Sequence, residues 1–303
     1  MIAIGLDVGG TKIAGGVVDV GSGEVLKRRV IPTLPKRGGQ PVLQDSLNLA
    51  RELKAEAEVL GHVVAGIGIG VAELVDTQGN VTSAQTIDWT GIPVSARFSG
   101  LAPAVVEADV RAAALAESAF GAGRPFRIFV YVTVGTGISS SLVVDGFPFA
   151  GAHGNALVMA SGPLTSTCPE CGRRFQSVLE DLASGPALVK RYGMSRPGQA
   201  GSAEDVVSAA ATGDPVAIQI VESAGEALGS GLAFLINVLD PEAVVVGGGL
   251  GVAGGLYWKS LVDSTRRHIW AEAERSLPIL QAGLGADAGL IGAALAGARQ
   301  HRS

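Results

Sequence analysis

Two short segments carry the residue types that handle phosphate, and they follow one design. The first is Ile4-Gly5-Leu6-Asp7-Val8-Gly9-Gly10-Thr11-Lys12, running on into Val17-Val18-Asp19. The second is Val130-Tyr131-Val132-Thr133-Val134-Gly135-Thr136-Gly137, running on into Val143-Val144-Asp145. In each, an apolar strand breaks into a Gly/Thr turn and resumes as an apolar strand. The interval from Gly9 to Asp19 equals that from Gly135 to Asp145. A tip of glycines and a hydroxyl lets backbone N–H groups approach a phosphate closely, because no Cβ intervenes. Two such tips facing each other would grip a polyphosphate from both sides, so the pair predicts a nucleotide in a cleft. One further carboxylate stands out. Asp109 closes the run Ala104-Val105-Val106-Glu107-Ala108 and opens Val110-Arg111-Ala112-Ala113-Ala114-Leu115. At a strand–helix junction it either caps the helix, worth about 1 kcal/mol, or serves as a general base. The residues alone leave both open.

The surrounding pattern supplies elements to position these groups. Residues 2–31 read as a β-meander, 32–41 as a Pro/Gly/basic loop, and 42–61 as a helix. That helix rests on Leu43, Leu47, Leu49, Leu53, Ala57 and Leu60 near a 3.6 period, and Gly61 ends it. Strands are expected over 63–69 and 104–107, and a helix over 110–120 stopped by Gly121. The second half repeats strands then helices: 175–192 and 203–238 mainly helical, and 243–246 a buried strand broken by Gly247-Gly248-Gly249. A helix over 254–270, a short strand over 278–281 and a small-residue helix over 285–297 complete it. Alternation in two similar halves predicts an α/β duplication.

With 303 residues there is room for two lobes of about 150 each. Hydrophobic residues make up 47% and charged residues 17%, with a net charge of −5. That balance fits an enzyme and disfavours nucleic-acid binding, which draws on basic surfaces. No apolar run approaches the roughly 18 residues a membrane helix needs, and Met1 leads straight into a strand. A cytoplasmic protein without membrane partner is therefore the expectation. The 44 glycines cluster at strand ends, as turns and ligand loops would require. Two cysteines exclude a disulfide framework.

These motifs closely resemble the ROK family of sugar kinases and sugar-responsive regulators. Asp7-Val8-Gly9-Gly10-Thr11-Lys12 matches its first phosphate motif and Val134-Gly135-Thr136-Gly137 its second. Val244-Val245-Val246-Gly247-Gly248-Gly249 looks like its adenosine loop, and Leu284 through Ala294 its C-terminal signature. The likeness spans essentially the whole chain in order. It implies a two-lobed actin/hexokinase-like ATPase fold, a duplication of RNase H-like domains. The lobes are expected at 1–121 and 122–285, with a helix at 286–303 packing back on the first. Family regulators usually carry an N-terminal helix-turn-helix, whereas this chain starts at the first strand, which favours the enzymes.

The resemblance also assigns roles. Asp7 would orient Mg²⁺, through water, with Thr11 and Lys12 near the phosphates of ATP. Asp109 becomes the base that deprotonates the acceptor hydroxyl, since the family reads Glu-Asn-Asp here. Its Asn has become Ala108, and Glu107 keeps the first position. After Gly151-Ala152-His153-Gly154 the family's Gly-Glu-x-Gly-His is replaced by Leu157-Val158-Met159-Ala160-Ser161, so the sugar-binding Glu aligns with Val158 and the His with Ser161. That His is also the family's first zinc ligand. The cysteine motif is reduced to Cys168-Pro169-Glu170-Cys171-Gly172, two thiolates where structural zinc wants four ligands. Free thiols or a reversible disulfide are expected there rather than zinc.

Glu180 keeps the position of the last sugar-contacting Glu. Glu73 stands where the family has glycine, and is either a replacement for the carboxylate lost at Val158 or a solvated loop residue. Thr86, Glu107 and His153 are further candidate substrate contacts, and Trp89 reads as packing. The expectation is an ATP-dependent kinase for a hydroxyl of a sugar or sugar-like polyol, with a non-standard hexose or C7-cyclitol favoured over glucose. An ordinary glucokinase and a non-catalytic sugar- or nucleotide-binding protein are the alternatives. A homodimer is what the resemblance implies.

Overall fold

The structure, a computed structural model, describes residues 1–299. In chain order the first elements are β1 (Ile2–Val8), β2 (Lys12–Asp19), β3 (Glu24–Pro32), α1 (Gly39–Val59), β4 (Val64–Val71), α2 (Val94–Phe98), β5 (Ala104–Ala108) and α3 (Asp109–Phe120). Then come β6 (Ile128–Val134), β7 (Ile138–Val144), β8 (Phe147–Pro148), β9 (Pro163–Thr167), β10 (Arg174–Val178), α4 (Glu180–Ala183), α5 (Gly185–Ser195) and α6 (Ala203–Ala211). The last are α7 (Pro215–Leu239), β11 (Ala243–Gly247), α8 (Gly255–His268), β12 (Ile279–Gln281) and α9 (Ala288–Arg299). By packing, one unit comprises Met1–Arg127, Ser141–Ala156 and the segment starting at Ala286; the other comprises Ile128–Ser140 and Leu157–Gly285.

The duplication is explicit in the topology. One sheet has the order β3-β2-β1-β4-β5 and the other β12-β11-β6-β7-β8. Read from its other edge, the second sheet is β8-β7-β6-β11-β12, so β6 occupies the place of β1 and β11 that of β4. Each glycine turn therefore follows the central strand of its own sheet. The first strands pair antiparallel, β1 with β2, and β1, β4 and β5 run parallel. A parallel sheet covered by helices needs strands buried on both faces, and β1 and β4 are nearly continuous apolar or glycine runs.

Helix α1 buries Leu43, Leu47, Leu49 and Leu53 on that sheet, each worth about 1.5–3 kcal/mol relative to exposure. It ends at Gly61, whose φ of 80° is left-handed and free of Cβ strain. Helix α9 packs on β1, β4 and α3, and glycines set how closely it sits. A Cβ on Gly5 would stand 1.8 Å from the Leu290 carbonyl oxygen, and one on Gly68 1.7 Å from that of Ala293. In the second unit, α7 starts at Asp214, whose carboxylate accepts the Val216 and Ala217 N–H groups.

Two expectations change. Residues 175–178 are not helical but form β10, which pairs with β9 as a separate two-stranded ribbon, exposed along most of its length. Residues 39–41, expected in a loop, already belong to α1. Residues 300–303 of the expected terminal helix, and His301 with them, lie outside the described residues. No helix among those described is long and apolar enough to cross a membrane.

Candidate active site

The first glycine turn is closed by the Gly9 N–H donating to the Lys12 carbonyl at 3.0 Å. Thr33, fully buried, braces it from just beyond β3: its hydroxyl donates to the Gly9 carbonyl at 2.6 Å and its N–H to that of Thr11 at 3.1 Å. The N–H groups of Gly10 and Thr11 have no protein acceptor among the described residues. Exposed backbone donors of this kind are what an anion-binding nest requires. A Cβ on Gly10 would meet Thr86 Cγ2 at 2.7 Å, so any side chain there displaces Thr86. The side chains of Thr11 and Lys12 are exposed.

The second turn repeats the arrangement with different braces. Gly135 N–H donates to the Gly137 carbonyl at 2.9 Å, and Gly185 N–H, at the start of α5, donates to the Gly135 carbonyl at 2.9 Å. Thr136 is exposed. Gly248, with φ 79°, lies against Val134 so closely that a Cβ would stand 2.3 Å from its carbonyl oxygen. The Gly247–Gly249 loop is thus packed against the base of the second turn. Glu180, expected to contact substrate, accepts the Ile138 N–H at 2.8 Å and supports the same turn.

Three carboxylates gather at the carboxyl ends of parallel neighbours in the first unit. Asp7 lies near the end of β1, Glu73 just beyond β4, and Asp109 just beyond β5. Open α/β sheets place ligands at this end. Asp7 and Asp109 keep a small exposed face but are packed deeply. Burial raises the Asp7 carboxyl to about 6, with Lys12 pulling the other way. Asp109 is raised to about 7, first by burial and then by the Asp7 and Glu73 charges; the Val110 N–H opposes this. Asp109 is the first residue of α3, directly after the N-cap Ala108. Among the described residues its carboxylate accepts only the adjacent Val110 N–H, at 2.6 Å.

Glu73 is placed differently from the expectation of a substrate ligand or a solvated loop residue. It is 8% exposed, and its carboxylate accepts from the Ser83 hydroxyl and from the N–H groups of Gln85, Thr86 and Ile87, at 2.9 Å and 2.7 Å for the first and last of these N–H donors. It holds the 83–87 loop that lays Thr86 on Gly10. A carboxylate with four donors from its own loop has no capacity left for a substrate. Glu107, also expected to contact substrate, accepts the Ala108 N–H at 2.9 Å and pairs with Arg111. Arg111 carries no signal in the sequence except its place on a helix face of alanines. His153 is exposed in the loop after β8, and Trp89 is fully buried with its Nε1 donating to the Gly39 carbonyl at 2.8 Å.

Cys168 and Cys171 sit at the tip of the β9–β10 ribbon. The Cys168 thiol is held below its ordinary range by the N–H groups of Cys171 and Glu170. Among the described residues no three His, Cys, Asp or Glu side chains group to hold a metal. Two thiolates do not fit a closed tetrahedral zinc centre. Val158 is 48% exposed and Ser161 is exposed, so neither supplies a buried polar anchor.

Comparison with known proteins gives this geometry its context. The family model described as "ROK family" matches residues 3–299. A glucokinase of Streptomyces coelicolor is 33% identical over 97% of this chain and 96% of its own. The N-acetylmannosamine kinase of Vibrio vulnificus is 31% identical over 84% of this chain and 85% of its own. The crystal structure of a ROK family glucokinase from Streptomyces griseus, in complex with glucose and AMPPNP, superposes with a TM-score of 0.84. It is 32% identical and covers 99% of this chain and 100% of its own. Two five-stranded sheets of one topology, each with its glycine turn, together with a family match over nearly the full length, place this chain in the ROK family with its actin-like ATPase fold.

Proposed function

We propose that this ATP-dependent carbohydrate kinase uses Asp109 as its base and acts on a polyol whose hydroxyls differ from those of glucose. A modified hexose or a C7-cyclitol is the substrate class favoured. The position of Asp109 carries the reading: desolvated, beside Asp7, and engaged by a single N–H. A carboxyl with a pKa near 7 is matched to taking a proton from an alcohol near neutral pH.

Phosphoryl transfer is mainly a matter of positioning and charge neutralisation. The acceptor O–H proton passes to the Asp109 carboxylate as the oxygen bonds to the γ-phosphorus and the bond to ADP breaks. The two glycine turns are assigned to the phosphates, with Lys12 adding positive charge and Gly247–Gly249 lying on the adenosine side. Magnesium, bound with ATP, would be held by Asp7 through water and supplies charge neutralisation at the phosphates. One carboxylate without a full protein cage suits that ion, which keeps waters and substrate phosphates as ligands.

The substrate preference rests on Val158 and Ser161, where the family pattern has Glu and His, and on Glu73, whose carboxylate does not replace the lost one. Losing a partner for a substrate hydroxyl can cost several orders of magnitude in discrimination. ADP release across hexoses, amino sugars and cyclitols, with product mass, tests both levels. A higher kcat/KM for a cyclitol or modified hexose than for glucose is expected. Glucose as best substrate would overturn the preference, and no transfer above an Asp109→Asn background would overturn the mechanism. An ordinary glucokinase is the second reading, favoured by the 33% identity to the Streptomyces enzyme.

A further inference from the structure

Arg111 is a buried cation that the mechanism above does not use. It is 7% exposed and stands two residues after Asp109, in the first turn of α3. All three of its guanidinium nitrogens are engaged, each with a different segment. Nε donates to Glu107 Oε1 on β5, Nη1 to the Gly154 carbonyl in the loop after β8, and Nη2 to the Val75 carbonyl at 2.8 Å in the loop after β4. The two carbonyl-bearing turns also press on each other. A Cβ on Gly154 would stand 2.1 Å from the Val75 oxygen and 2.6 Å from Asp76 Cα, so they meet backbone to backbone. Gly154 takes a φ of 80°, which a residue with a side chain rarely adopts.

We propose that Arg111 is a positioning residue for the phosphoryl acceptor: it ties the Val75 and Gly154 turns to the strand–helix junction that carries Asp109. The inference rests on the kinase reading with Asp109 as base. Its physical content is the fork geometry of the guanidinium. A planar group with five fixed donors satisfies a carboxylate and two carbonyls at once, whereas an ammonium is a single point charge on a flexible stem. Glu107 neutralises the charge, so the cation can stay buried while its other two edges hold backbone. His153, a candidate acceptor contact, is the residue before Gly154. The Val75 turn packs backbone to backbone on Gly154, so loosening either turn moves His153 on the acceptor side of the site.

The test uses Arg111→Lys, which keeps the charge opposite Glu107 while losing the fork. Each KM, kcat, and the hydrogen exchange of amides in residues 74–78 and 151–156 would be measured. The acceptor KM should rise roughly tenfold, as loss of a charge-assisted hydrogen bond implies, with the KM for ATP within about twofold of wild type and faster exchange in both segments. Should Arg111→Lys impair folding, the double variant Glu107→Gln/Arg111→Met removes both charges and is read the same way. Unchanged acceptor KM with unchanged exchange would overturn the proposal. Equal rises in both KM values would also overturn it, since they signal general damage. If the wild type transfers no phosphoryl group to any acceptor, the kinase reading fails by itself. Exchange then decides separately whether the two turns are tied.

Discussion

The Asp7 carboxylate rests against the backbone of Gly289: a Cβ added to Gly289 would stand 2.7 Å from both Asp7 Cγ and Oδ2. The first strand of the fold and the second residue of its last described helix thus meet at the group assigned to the metal–nucleotide complex. Gly289→Ala forces Asp7 to move. Alanine itself favours a helix over glycine by about 1 kcal/mol, so the fold should tolerate the change better than the chemistry does. The expected result is a loss of turnover of roughly 10²-fold, typical of a misplaced group, with the melting temperature held within a few degrees. Parallel loss of turnover and of melting temperature would deny Asp7 its special sensitivity.

Asp109→Asn removes the proton acceptor and keeps the shape. Turnover should drop by about 10²–10⁴-fold, the usual contribution of a general base. The affinity for ATP analogue, measured by calorimetry, should stay near that of wild type, because the glycine turns are untouched. Turnover that survives the substitution would mean that another group takes the proton.

Stability should depend on pH in a way that exposes the same carboxylate. Folded Asp109 keeps its proton to about 7 and Asp7 to about 6, whereas an unfolded aspartate loses its proton near 3.9. The folded state binds more protons across that window, so their joint contribution is full below about pH 4 and is lost as pH rises through about 6 to 7. Asp109→Asn has no such loss at its own position. Its melting temperature in the ligand-free protein should therefore gain on wild type between about pH 4 and pH 8. A constant difference across that range would contradict the raised carboxyl.

What is legible in the sequence is the part that depends on backbone. The apolar run Ala243-Val244-Val245-Val246 of β11 and the leucines of α1 declare their elements, and the two Gly/Thr turns declare the duplication. The ribbon strand β10 escapes such a reading because Arg174–Val178 has no apolar alternation and packs on no core. The partners of long side chains are not readable either. Arg111 donates to two backbone carbonyls, and carbonyls carry no residue signature. Thr33 braces Gly9 from a segment that reads only as a loop. Glu73 is visible as an unusual charge, but nothing in the spacing points it back to Gln85, Thr86 and Ile87 instead of toward substrate.

Glu73 should respond to substitution in the opposite way to a substrate ligand. Glu73→Gln replaces one acceptor oxygen with an NH₂ group facing donors, in a site that is 8% exposed. At least one buried donor is left unsatisfied, at a cost of about 1–3 kcal/mol. The 83–87 loop should loosen and withdraw Thr86 from Gly10, which it contacts at the first glycine turn. The KM for ATP should therefore rise several-fold, while the acceptor KM changes little, and exchange of the Gln85–Ile87 amides should quicken. A ligand carboxylate would give the reverse, a large acceptor effect with the ATP constant and loop exchange unmoved. Steady-state kinetics in both substrates, run beside hydrogen exchange, separates the two.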